Sequence, residues 1–297
     1  MANVKFVEAA QHLEFTNFPQ FGVLSGVKVF VTGTNIAGPF AGSLMAEMGA
    51  QVLQAEAPNI PCQTRGTASW SQNHRNEFSI TLNTATKRGQ ELFKKAIAWA
   101  DIWIEAGRPG SYEKRGLSDE AIWEVNPKLA IVHVSGYGQF GPYKDKASYD
   151  VSGQAMGGYM YMNGVSPTSG PLKVNPYLSD YVTAYNTCVC ALAGYIHAKN
   201  HGEGDSCDVA QYDNMFRLLD NFPVNWLNSR MRLPPLMNPG STSISISSFP
   251  LPPRYSFITR AGWQQISRSC VMAASTSMRF LPASMISICG RSLSRLA

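Results

Sequence analysis

The amino-acid sequence predicts an α/β fold, with a largely parallel sheet covered by helices on both faces. Two observations predict it. Short β-rich runs alternate with stretches of helical apolar spacing, from Val27 to the helix that opens at Gln211. The boundaries carry matching punctuation, with Gly26 and Gly33 flanking the first run and Gly49 closing the first helix.

Val27–Thr32 reads as the first strand. Residues 37–48 follow as a helix, in which Pro39 suits the first position and Gly42 and Ala46 allow close packing on the sheet. Gln51–Glu56 is the second strand and Phe78–Leu82 a third extended run. Thr86–Ala100 is an amphipathic helix with Leu92, Ala96, Ile97 and Ala100 on one side. Two further strands, Asp101–Glu105 and Leu129–Ser135, are separated by the helix Ser118–Val125, with Ser118 as its cap. A long helix runs from Asp180 to Lys199 on Val182, Tyr185, Val189, Leu192 and Ile196. Ser206–Ala210 is a strand, and a helix extends from Gln211 to about residue 228.

A chain of 297 residues suits one large domain or two ordinary ones. No stretch approaches the run of about 20 apolar residues that crosses a bilayer. The N-terminus lacks the basic start and apolar run of a signal peptide. A cytoplasmic protein without membrane contact is therefore expected. The six cysteines (Cys62, Cys188, Cys190, Cys207, Cys270, Cys289) form no CxxC pair and have no histidines at zinc spacing, so reduced, buried thiols and no metal are expected.

The net charge of +5 is unevenly placed. Residues 1–240 carry 19 basic and 20 acidic side chains, whereas residues 241–297 carry six arginines and no acid. The body shows no basic stripe, and nucleic acid is not an expected partner. Residues 241–297 also hold 14 serines, and their apolar residues keep no sustained period. This segment reads as an aberrant Ser/Arg-rich tail, frameshifted and disordered, that did not evolve to fold with the body.

Candidate site residues lie where strands end. Asp180 falls at a helix N-terminus, where a carboxylate serves as a cap or as a nucleophile held ionised by backbone N–H groups and the helix dipole. One geometry serves both roles. Arg108, Lys114 and Arg115 lie beyond the strand that ends at Glu105, at the edge where open α/β sheets bind ligands, and the arginine fork suits phosphate. Ser135–Tyr143 contains Gly136, Gly138 and Gly141, whose flexibility admits a close ligand and whose N–H groups suit a thioester carbonyl. An ordinary glycine-rich turn explains the same residues. Tyr137, Tyr143, Tyr159, Tyr161, Tyr177 and Tyr181 are packing residues or a pocket for a quaternary ammonium group. The five histidines are scattered and read as structural. Gly33, Gly38 and Gly42 lack the dinucleotide spacing, although Glu56 sits where a ribose-binding acid would.

Seven stretches together resemble the class III CoA-transferases of the formyl-CoA/carnitine type, over residues 21–240. They are Leu24–Val29, Ile36–Gly42, Met48–Val52, Ala100–Ala106, Asn126–Leu129, Ser135–Gly141 and Gly202–Asp208. Within the family, the Ile36–Gly42 block, the Ile104-Glu105-Ala106 strand end and Tyr177-x-x-Asp180-Tyr181 are most similar to the carnitine-type members. The resemblance implies a Rossmann-like doubly wound sheet as the large domain (residues 21–210) after an N-terminal extension (1–20). Residues 211–240 would then lead toward a small domain that the tail replaces. It also implies an interlocked homodimer, acyl-CoA and a small carboxylic acid as substrates, and coenzyme A as substrate rather than resident cofactor. By the same carry-over Asp180 is the nucleophile, and Arg108 and Arg115 contact CoA. Two alternatives remain at this level, an inactive fragment or CoA-binding module, and an NAD-dependent oxidoreductase.

Overall fold

The computed structural model describes residues 21–164, 170–229 and 287–288. Seven strands, β1 (Lys28–Gly33), β2 (Gln51–Glu56), β3 (Phe78–Thr81), β4 (Ile102–Ala106), β5 (Ala130–Ser135), β6 (Ser206–Ala210) and β7 (Ser287–Ile288), form one sheet. Their order is β3-β2-β1-β4-β5-β6-β7; the first six are parallel and β7 pairs antiparallel with β6. The rest of the tail and residues 1–20 lie outside the described residues, and so does the expectation of a disordered end.

The parallel strands are short apolar runs because both of their faces are covered. Alternate residues of β1 show this: Val29 and Val31 enter one core and Phe30 the other. The first core is completed by Phe40, Ala41 and Met45 of α1 (Ala37–Glu47) and by Ala184, Cys188 and Ala191 of α7 (Leu178–His201). The second core takes Phe93 and Ile97 of α3 (Lys87–Trp99) and Ile122 of α4 (Asp119–Trp123). Gly42 serves close packing as expected, since a Cβ there would lie 2.9 Å from Val31 and 3.2 Å from Val52. The Ser118 cap expected from sequence forms, its Oγ accepting Ala121 N–H, and Thr86 Oγ1 likewise caps α3 by accepting Gly89 N–H.

Other expectations are corrected. Helix α1 starts at Ala37, so Pro39 is its third residue rather than its first. The helix expected over 211–228 is two, α8 (Gln211–Arg217) and α9 (Phe222–Ser229), because Asp220 between them takes a left-handed φ of 54°. Helices α2 (Ala68–Asn73), α5 (Asp150–Met156) and α6 (Tyr159–Met162) had no periodic signal. Each has fewer than eight residues, too short to show one, and tertiary contacts hold them. The four cysteines Cys62, Cys188, Cys190 and Cys207 are buried free thiols, as expected.

Candidate active site

Strand order reverses direction between β1 and β4, and this switch opens a crevice at the carboxyl ends of the strands. Gly33 closes β1 there, and a Cβ on either Gly33 or Gly38 would lie 2.6 Å from Ala106 Cβ at the end of β4. Both glycines are therefore required by close approach. Helix α7 precedes β6 and runs back along the sheet, so its first turn stands at this same edge.

Asp180 is the third residue of α7. Tyr177 occupies the cap position without a side-chain cap bond, so the capping role for Asp180 is not realised. Its carboxylate instead accepts a hydrogen bond from Gln211 Nε2, at the junction of β6 and α8. Gln211 is oriented in turn by Ser148 Oγ, which donates to Gln211 Oε1 at 2.9 Å. Burial first, and the Asp150 carboxylate second, push the Asp180 carboxyl up to about 7, against smaller opposing effects of Gln211 and Lys173. The expectation that helix N–H groups hold this carboxylate ionised is thus corrected: Gln211 rather than the helix amides donates to it, and burial raises its value.

Asp150 is fixed from three sides. Ser179 N–H donates to it at 2.8 Å, Gln154 Nε2 at 2.9 Å, and Lys173 Nζ forms an ion pair at 3.2 Å. Ser179 Oγ is buried without a hydrogen-bond partner. Sequence reasoning missed Asp150, Lys173, Ser148 and Gln211, which lie 7 to 32 residues from Asp180 in the chain and have no shared motif.

The arginines occupy the loop that leaves β4. Arg108 is exposed, two residues past the strand end. Arg115 ends a 3-10 turn, Glu113–Arg115, with its guanidinium 5.8 Å from the centroid of the Tyr112 ring. Tyr112 anchors this loop, stacked on Phe93 at 5.3 Å and edge-on to Trp103 at 5.1 Å. β4 and β6 flank β5, so the arginine loop and the Gln211 junction are two strand spacings apart, about 10 Å. The structure brings Asp180, on α7, and Arg108 and Arg115, on the loop after β4, to one edge.

The loop after β5 is only partly free for a ligand. Gly138 N–H donates to Ser135 Oγ at 2.8 Å and Gln139 N–H to Asp208 Oδ2 at 2.7 Å. These two amides fix the loop and are not open to a thioester carbonyl, which corrects that expectation for Gly138 alone of the three glycines. The tyrosines form no single pocket wall. Tyr137 packs with Tyr143 and Tyr212, whereas Tyr181 packs on Phe40. Lys146 lies 4.6 Å over Tyr143 and Lys173 lies 4.9 Å over Tyr177, so the chain's own cations take these faces. Glu56 is likewise engaged, by Arg65 and by Cys62 N–H at 3.1 Å. Among the described residues no group of three or more His, Cys, Asp or Glu is placed to hold a metal ion.

The family model described as CoA-transferase family III matches residues 24–279. The chain belongs to that family. The bile acid CoA-transferase BaiK of Clostridium scindens is 52% identical over 220 residues, covering 73% of this chain and 50% of BaiK. The L-carnitine CoA-transferase of Proteus mirabilis is 37% identical over 218 residues, covering 72% of this chain and 53% of that protein. The chain spans about half the length of these curated relatives. Among solved structures, a CAIB/BAIF family protein from Brucella suis superposes with a TM-score of 0.69 at 31% identity, covering 73% of this chain and 60% of that one. Rv3272 from Mycobacterium tuberculosis gives 0.65 at 28% identity, covering 70% and 58%. The parallel sheet with helices on both faces is the fold of this family. No helix among the described residues is long and apolar enough to cross a membrane.

Proposed function

We propose that this chain moves coenzyme A between carboxylic acids, with Asp180 as the nucleophile and CoA as substrate. The observation that carries this is a carboxyl group at the ligand-binding edge, partly buried, fixed by Gln211 and titrating near neutrality at about 7. An Asp serving only as a surface cap keeps an ordinary acidic value. A carboxylate stripped of hydration is a better nucleophile toward a thioester carbonyl, and a site that excludes water protects the anhydride that results.

In this reading the Asp180 carboxylate attacks the acyl-CoA carbonyl and CoA thiolate leaves, giving a mixed anhydride. The thiolate then attacks the Asp180 carbonyl, releasing the donor acid and leaving an aspartyl-CoA thioester. The acceptor carboxylate attacks that thioester, and the displaced thiolate takes the acceptor's acyl group, returning Asp180. Gln211 donates to the carboxylate and holds one oxygen, so the other is presented to substrate. Arg108 and Arg115 neutralise CoA phosphates. An interlocked homodimer in the cytoplasm, with acyl-CoA and a carboxylic acid as its small-molecule partners, is part of the same proposal.

Bile acids lead the betaines as the acid class. The 52% relative is named for bile acids and the 37% relative for L-carnitine. The aromatic faces of Tyr143 and Tyr177 are also covered by lysines, which removes two of the six expected for a quaternary ammonium group. The test supplies the 297-residue chain with a bile-acid CoA thioester, an isotopically labelled bile acid, and in parallel a labelled betaine acid. Label in the bile-acid thioester, with less in the betaine thioester, is expected. Exchange no faster than in buffer would refute the activity, and faster betaine labelling would reverse the acid class.

A further inference from the structure

The loop between β4 and α4, residues 107–118, is tied at both ends to one side chain. His133, on β5, places Nδ1 3.1 Å from Glu105 Oε2 and Nε2 3.0 Å from Asp119 Oδ2. Glu105 is the penultimate residue of β4, and Asp119 is the first residue of α4. The second oxygen of Glu105 turns the other way and accepts Gly107 N–H at 2.8 Å, fixing the residue immediately before Arg108. A Cβ on Gly107 would lie 2.4 Å from that oxygen and would have to displace it. The carboxylates are 14 residues apart in sequence, and the imidazole joins them.

We propose that His133 is a positioning residue for coenzyme A, clamping the two ends of the loop that presents Arg108 and Arg115 to the phosphates. The proposal rests on the reading of those arginines as the CoA contacts. The clamp needs an imidazolium, because a neutral ring donates from one nitrogen only and would leave one carboxylate facing an acceptor. The surroundings supply one: burial lowers its value, but the hydrogen bonds it donates to the Asp119 and Glu105 carboxylates, together with their charges, outweigh burial and push His133 up to about 10. Asp208 lies opposite it in register on β6, with Cys207 turned to the other face of the sheet, and Trp103 packs edge-on at 6.3 Å. Holding the loop in one conformation before binding removes an entropy cost that CoA would otherwise carry. Tyr112 pins the middle of the loop, so release of the ends frees the segments on either side of it rather than the whole domain.

Two readouts on the full 297-residue chain test this. Trypsin cuts after Lys114 and Arg115 but not before Pro109, so nicking within 107–118 reports loop freedom. His133→Gln is expected to speed that nicking at least ten-fold, leave cleavage after Lys87, Arg88 and Lys199 unchanged, and weaken CoA binding about ten-fold in calorimetry. At saturating acyl-CoA the Asp180 adduct should still form, separating affinity from chemistry. Asp119→Asn keeps the Glu105 half of the clamp, should show the same selective nicking more weakly, and carries the test if His133→Gln does not melt cooperatively. Unchanged nicking in the variant that folds, or nicking raised equally at all sites, would overturn the clamp. Faster loop nicking with CoA affinity unchanged would overturn the positioning role. If Arg108→Ala/Arg115→Ala also leaves CoA affinity unchanged, it is the reading of the arginines that fails, while the nicking result still judges the clamp.

Discussion

Ionising Asp180 costs the native state stability, and the sign follows from its raised value. Its carboxyl titrates near 7 when folded against 3.8 for an unhindered aspartate, so the native chain keeps a proton that the unfolded chain has lost. That stability is fully present below about pH 4 and is lost as pH rises through 7. Asp180→Asn should therefore gain on the parent by about 2–3 kcal/mol between pH 5 and pH 8, read as the difference in denaturant midpoints. An unchanged difference would show that the carboxyl is not perturbed. Adduct formation should rise with pH through about 7, because only the carboxylate attacks. Replacing Arg108 and Arg115 with alanine removes charge-assisted contacts worth roughly 1.5–3 kcal/mol each. Calorimetry should show CoA binding weakened accordingly, with the melting temperature nearly unchanged since both side chains are exposed.

The elements that meet behind Asp180 do so through Gly153 of α5. A Cβ there would lie 2.3 Å from Ser179 Oγ on α7 and 3.1 Å from Gln211 Cβ on α8. Gly153→Ala should destabilise by roughly 1–3 kcal/mol through overpacking and should slow adduct formation, because Gln211, which holds the Asp180 carboxylate, and Ser179, which precedes it and donates to Asp150, both shift. A fully active, equally stable variant would mean that α5 does not set this geometry. Sequence reasoning found the strands and long helices, since Phe93–Ile97 and Val29–Val31 carry clear periods, but could not find α5. Its seven residues are held by Asp150 accepting Ser179 N–H, a contact across 29 positions. Asp180 could be singled out from its company of motifs. Its partner Gln211 was visible only as a helix start, and His133 only as one scattered histidine.

Among the described residues Asp180 and His133 both make stability fall as pH rises, and Glu77, Asp208 and Asp213, also raised by burial, act with the same sign. Asp180 acts through about pH 7, as above. His133, raised to about 10, contributes stability that is complete below 6.5 and is lost as pH climbs toward 10, on the order of 3 kcal/mol between pH 7 and 10. Calorimetric scans should show a melting temperature that declines from pH 6 to pH 10, with the lower part reduced in Asp180→Asn and the upper part reduced in His133→Gln. A flat profile in the parent would contradict both assignments. The parallel sheet and its cover of helices on both faces were legible from the chain, because buried parallel strands are written as apolar runs; the strand order was not. Which amides of the Gly136–Gly141 loop stay open was not, because Asp208, 69 residues from Gln139, decides it. The covalent role of Asp180 is tested most directly by incubating the chain with acyl-CoA and mapping the peptides by mass spectrometry. A hydroxylamine-sensitive adduct on the peptide containing Asp180, absent in Asp180→Asn, is the predicted result; an adduct or CoA exchange that survives undiminished in Asp180→Asn would contradict it.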